Sequence, residues 1–130
     1  MGSILQGHGE AVGFELTIGS GAGGDTNNDL RPPVNAIYKE IWILEAAVVY
    51  HDDAARTVKW SLVDTAPRIL MKFTAVGPNP VTHSYYLDCG KGLPLFIQRD
   101  YYLRVTVEGM AAAKNIVLSG RYQRYRVYSQ

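Results

Sequence analysis

Four groups of residues in this 130-residue chain have types and spacings that could do chemistry. Gly19-Ser20-Gly21-Ala22-Gly23-Gly24 carries the G-x-G-x-x-G string of dinucleotide sites. That chemistry needs a helix directly after the glycines, so that its first amides face a pyrophosphate. Polar residues and then Pro32-Pro33 follow instead, which excludes the helix and leaves a glycine loop as the better account. Asp25-Thr26-Asn27-Asn28-Asp29 matches the first half of a calcium loop. Leu30 and Ala36 stand where an EF-hand needs Gly and Glu, so the stretch offers at most a shallow, weak calcium site. Asn and Asp acting as turn formers explain it more simply.

The third group is His8, His51, His83 and Cys89, which are scattered along the chain. A Cys–His nucleophile would need the fold to bring two of them together. His51, beside Asp52 and Asp53, reads as a solvated turn tip, and Cys89 as a small, semi-buried hydrophobe. No convergent polar set emerges, so the chain reads as a non-enzyme with no metal and no cofactor.

The fourth group is Arg121-Tyr122-Gln123-Arg124-Tyr125-Arg126-Val127-Tyr128, the strongest local bias in the chain. Arginine interleaved with tyrosine can hold single-stranded nucleic acid through phosphates and stacked bases. The same residue types are enriched at protein interfaces. Strand parity puts Tyr122, Arg124, Arg126 and Tyr128 on one face and Arg121, Gln123, Tyr125 and Val127 on the other. Neither face is cleanly apolar, which suggests an edge strand or a surface that meets something else. An interface formed by Arg121, Tyr122, Arg124, Tyr125, Arg126 and Tyr128 is favoured over nucleic-acid binding. Nine tyrosines against three phenylalanines point the same way, since tyrosine suits boundaries that are part apolar and part wet.

These residues must be carried by strands. Phe14–Ile18, Val58–Leu62 and Leu103–Val107 alternate apolar and polar residues, the signature of a sheet with one wet and one buried face. Strands are expected over 11–18, 57–63, 68–76, 82–88, 93–97, 101–107 and 115–127. Residues 1–10 read as a flexible N-terminal arm, 19–29 as a long loop, and 51–55 as a hairpin turn. Residues 36–50 are ambiguous. Ile37, Ile41, Leu44 and Val48 could line a helix, but the β-branched and aromatic content favours a strand. Both parities are apolar from Ile41 onward, which suits a central strand covered on both sides.

The composition is that of a folded globular protein, 47% hydrophobic and 19% charged. One cysteine excludes an internal disulfide framework, and reducing cytosol is the natural compartment. The N-terminus has no signal-peptide pattern, and no run approaches the ~20 apolar residues of a membrane span. The net charge of +1 conceals an asymmetry. Residues 1–65 hold four Lys/Arg against nine Asp/Glu, a net of −5, and residues 66–130 hold nine against three, a net of +6.

Residues 40–53 running through a turn into Val58–Asp64, with the late blocks 93–97, 100–108 and 116–128, give the chain the style of a known family. It resembles the small jelly-roll decoration, or cement, proteins of tailed-phage capsids in strand number, Gly/Asn loops, N-terminal arm and tyrosine content. The resemblance implies a virion protein, made in the host cytoplasm and placed on the capsid surface. It also implies a homo-oligomer, with a trimer favoured, that bridges subunits of the major capsid protein. No contact residue transfers, because no motif positions align. The expected fold is all-β: a single antiparallel β-sandwich over 11–130, jelly-roll-like, with about eight short strands and little or no helix. Its expected core is Phe14, Leu16, Ile18, Trp60, Leu62, Met71, Phe73, Leu103, Val105 and Val107. Two alternative functions stand beside this one: a carbohydrate-binding sandwich stacking sugars on tyrosines, Trp42 and Trp60, and a single-strand nucleic-acid binder using residues 121–128.

Overall fold

The computed structural model describes residues 4–35, 37–72, 84–87 and 95–128. Nine strands run through them: β1 (Ile4–Gly19), β2 (Gly24–Leu30), β3 (Tyr38–His51), β4 (Val58–Asp64), β5 (Ile69–Lys72), β6 (Ser84–Leu87), β7 (Leu95–Ile97), β8 (Tyr101–Met110) and β9 (Asn115–Tyr128). All pairings are antiparallel, and no helix occurs among the described residues.

The pairings are nested. β4 pairs with β5, β3 with β6 and β7, β2 with β8, and β1 with β9. One long hairpin has been wrapped so that β9 also meets β3 and β8 also meets β4. This gives two sheets, β1-β9-β3 continuing into β6 and β7, and β2-β8-β4-β5. That topology is a jelly-roll sandwich. The two sheets are hereafter the first and second sheet. In the first, β1, β3 and β9 have 14 to 16 residues, longer than expected, whereas β2 and β4 in the second have seven.

The core lies between the sheets. Trp42, Leu44, Ala47, Val49, Ile97, Ile116, Leu118 and Tyr122 come from the first; Leu30, Val58, Trp60, Leu103, Val105 and Val107 come from the second. Of the expected core, Trp60, Leu103, Val105 and Val107 are buried, and Phe14, Leu16 and Leu62 pack against it half-buried. Ile18 and Met71 are corrections, at 40% and 50% exposed. Both lie on strands that end a sheet, where neighbours cover one flank only. Phe73 lies outside the described residues.

Several boundaries also differ. Residues 4–10, expected as an arm, belong to β1 and pair with the end of β9. A register shift between Gln6 and Glu10 hides the strand pattern there, and Gly9 leaves room for the Tyr125 ring. The loop expected over 19–29 is only a tight turn, and 24–30 form β2. Thr26 and Asn28 hold inward positions of that strand, so its alternation contains no apolar residue before Leu30. Asn28 is satisfied there by donating to the carbonyls of Leu16 and Ile116, at 3.0 and 3.4 Å. The 51–55 turn joins strands in different sheets and is not a hairpin. His51 is correspondingly 1% exposed, not solvated, and its Nδ1 accepts from the Asp53 amide.

The ambiguous segment is strand β3, and its two apolar parities have a specific cause. A bulge at Glu45 shifts the register against β9. Buried positions therefore switch from Glu40, Trp42 and Leu44 to Ala47, Val49 and His51. The residues of opposite parity face outward and are still largely apolar. Gly120 sits opposite the bulge, where a Cβ would lie 2.0 Å from the Ala46 carbonyl oxygen.

Candidate functional site

β9 carries the Arg/Tyr segment and is an interior strand, flanked by β1 and β3. The expectation that its mixed faces mark an edge is therefore corrected. Its polar residues are tolerated because the flanking strands supply carboxylates. Arg121 donates to Glu45 of β3 at 2.6 Å, and Gln123 donates to the same carboxylate. Those hydrogen bonds, Gln123 first and then Arg121, hold the Glu45 carboxyl below its ordinary pKa. Arg124 donates to Glu10 of β1 at 2.5 Å and lies 3.7 Å from Glu40 of β3. Its hydrogen bond and charge lower the Glu10 pKa.

The sheet separates the six candidate residues. Tyr122 points inward, 5% exposed, stacked on Trp42 at 4.1 Å and tilted against Phe14 at 5.8 Å. Arg124, Arg126 and Tyr128 share its parity, towards the end of the first sheet that reaches past the second. There the Arg126 guanidinium lies 4.7 Å from the centre of the Tyr38 ring, and Tyr128 packs on Tyr38 at 5.4 Å. Only Arg121 and Tyr125 reach the outer face, with Gln123 and Val127. Both tryptophans are buried, at 7% and 2% exposed, so neither offers a ring for stacking a sugar.

The outer face of the first sheet is the most unusual surface of the molecule. β3 contributes Ile41, Ile43, Ala46, Val48 and Tyr50; β9 contributes Val117, Tyr125 and Val127; β7 contributes Phe96, opposite Ile43. Phe96 is 50% exposed and Tyr50 40%. Among the described residues the charged groups on this face are few and balanced: Lys39 and Arg121 against Glu15 and Glu45. Among the described residues no further layer covers it.

Over β2, β8 and β4 the outer face of the second sheet is the opposite, although Ile69, Leu70 and Met71 of its edge strand β5 are exposed. Arg104 grips Asp29 through two hydrogen bonds of 2.8 and 3.0 Å, Lys59 pairs with Glu108 at 3.2 Å, and Thr106 donates to Asn27 at 2.6 Å. Asp25 accepts from the Gly109 amide. Of the polar run that resembled a calcium loop, Asp25, Asn27 and Asp29 are thus the wet side of β2 and engage β8, while Thr26 and Asn28 face inward. No group of three or more His, Cys, Asp or Glu residues able to hold a metal occurs among the described residues. The glycine string lies in the turn before β2, where Gly21, Gly23 and Gly24 have positive φ and no helix follows. His83 and Cys89 lie outside the described residues.

The most strongly held carboxylate is structural. Burial alone would raise the pKa of Asp53, but amides of Ala111 and Ala54 and the Arg56 side chain all donate to it and hold it at about 2. This ties the 51–55 connection to the end of β8. A cleft of about 180 Å³ opens between Pro33–Asn35 and Gln98–Asp100, with Tyr38 and Glu40 on its wall. Its polar groups are partly committed: Asn35 Oδ1 accepts from the amides of Ile37 and Tyr38, and Glu40 accepts from Trp42 Nε1.

The sequence pattern that could have identified the apolar outer face is the double parity of β3, which sequence reasoning assigned to burial on both sides. No protein-family model matches the chain, and no curated protein sequence matches it.

Proposed function

We propose that this protein is a non-enzymatic structural component of a virion, a jelly-roll decoration protein that binds a tailed-phage capsid and bridges neighbouring subunits of the major capsid protein. The observation that carries this reading is the contrast between the two outer faces. Antiparallel sheets with one wet side alternate cleanly, as β8 of the second sheet does, with Leu103, Val105 and Val107 inward and Arg104, Thr106 and Glu108 outward. The first sheet instead presents Ile41, Ile43, Val48, Tyr50, Phe96, Tyr125 and Val127 outward. A contiguous apolar patch of this kind marks a surface made to be covered. The jelly-roll topology and the resemblance described above support a particle component over other binding modules.

The mechanism is mechanical. Each bound copy buries surface across a junction between subunits, so opening the shell must also break those contacts. A specific, stable contact needs on the order of 1,200–2,000 Å² in total. Sedimentation of the protein with expanded, undecorated shells of its phage tests the reading. Saturable co-sedimentation that persists at high salt is expected. Absence of binding at every salt concentration sinks the proposal.

A further inference from the structure

We infer that the outer face of the first sheet is covered by a second copy of this chain, joined face to face about a two-fold axis. The inference rests on the reading above that this face is made to be covered, and it names the occupant in the free protein: a second copy, in a reversible contact that the shell replaces when it takes the same face. Three observations select a copy over an unrelated partner.

The first is charge. Lys39 and Arg121 balance Glu15 and Glu45, so among the described residues the face has no net charge with which to repel itself. The second is placement. Glu45 and Arg121 lie side by side near the middle of the patch, between Ile41–Ile43 and Val48–Tyr50 along β3. A two-fold axis through this point sets Arg121 of each copy over Glu45 of the other, and sets each apolar half of β3 against an apolar half. A contact between identical patches is isologous, which is the symmetry such self-complementarity serves.

The third is area. Residues 117 to 127 of β9 span about 33 Å at ~3.3 Å per residue, and four strands side by side cover about 19 Å at ~4.8 Å each. Each copy thus offers about 600 Å², and a pair about 1,200 Å², the lower end of the range for a stable interface. The expected dimer is therefore reversible, held by Phe96 and Tyr50 as rigid aromatic anchors, with the Arg121–Glu45 pairs setting register. This is a two-fold arrangement and differs from the trimer that the family resemblance implies.

Light scattering across micromolar concentrations, on wild type and on a Tyr50→Lys/Phe96→Lys variant, tests the inference. Both side chains are exposed, so the variant should keep the wild-type far-UV spectrum. A wild-type mass rising towards twice 14.4 kDa, with the variant at 14.4 kDa, is expected. A Glu45→Arg variant should weaken association at least tenfold, and adding Arg121→Glu should recover much of it. A wild type that stays monomeric to high micromolar concentration, forms a trimer, or forms a dimer indifferent to these substitutions overturns the inference. Shell co-sedimentation of the same proteins separates the two proposals. A monomer that still binds shells removes the dimer alone, and a dimer that binds none removes the capsid reading alone.

Discussion

Gly120→Ala is the most informative single change for the architecture. Gly120 lies in β9 opposite the β3 bulge, and its backbone conformation is open to any residue, so the effect is steric alone. A Cβ there would sit 2.0 Å from the Ala46 carbonyl oxygen, 2.9 Å from its carbon and 3.0 Å from the Ala47 Cα. A carbon and an oxygen need about 3.2 Å, and the atoms in the way are backbone with no rotamer to change. Relief requires β3 and β9 to part by about 1 Å at the bulge. Overpacking of that kind costs about 1–3 kcal/mol, and weakening two flanking ladder hydrogen bonds adds about 1 kcal/mol each. A loss of about 3–5 kcal/mol corresponds to a fall in Tm of roughly 11–18 °C for a domain of this size. Thermal unfolding followed by circular dichroism reads it directly. Gly13→Ala is the control: its Cβ would meet nothing closer than 3.9 Å and should shift Tm by less than about 2 °C. If Gly120→Ala also melts within about 2 °C of wild type, the close approach at the bulge is wrong, and with it the register that turns the apolar side of β3 outward.

Three further outcomes follow from the side-chain network. Asp53 has a folded-state pKa of about 2, below its ordinary value of 3.8, so the stability it confers is complete above about pH 4 and is lost as pH falls towards 2. Asp53→Ala should cost about 2–3 kcal/mol at pH 6 by stranding the Ala111 and Ala54 amides, and should flatten the acid limb of a urea-midpoint profile in that window. Arg124→Ala leaves Glu40, 8% exposed, without its cation and should cost about 2 kcal/mol, with Glu40→Gln in that background recovering part of it. Tryptophan fluorescence should be blue-shifted, poorly quenched by acrylamide and indifferent to mono- and oligosaccharides, because Trp42 and Trp60 are buried; quenching by a sugar would revive the carbohydrate-binding alternative.

The parts of the fold that were legible in the sequence are those where inward positions are apolar and outward positions polar. Val58 and Trp60 in β4 and Leu103, Val105 and Val107 in β8 have that form, and their strands and burial follow from it. β2 was invisible because Thr26 and Asn28 fill inward positions; Thr26 donates locally to the Gly24 carbonyl, whereas Asn28 is satisfied by carbonyls of β1 and β9 that only the tertiary structure supplies. β3 misled because one extra residue at Glu45 reverses its parity midway, so an outward apolar face looked like burial on both sides. In β9 the arginines were legible, but that their carboxylates lie on flanking strands of the same sheet was not. Glu10 lies 114 residues from Arg124 in sequence, and Glu45 lies 76 from Arg121. Without those carboxylates the strand looks too polar to be interior. Edge position is likewise a property of the assembled sheet, which is why Ile18 and Met71 looked like core residues and are half exposed.

The central claim is that this protein stabilises a shell by binding to it, and the most direct test is the temperature at which that shell opens. Expanded, undecorated shells of its phage should be heated alone and with saturating protein, with opening followed by scattering or by release of a packaged dye. Binding to the closed shell in preference to its opened subunits must raise the opening temperature, and the rise must grow with free protein concentration. An opening temperature unchanged at saturating protein contradicts the account.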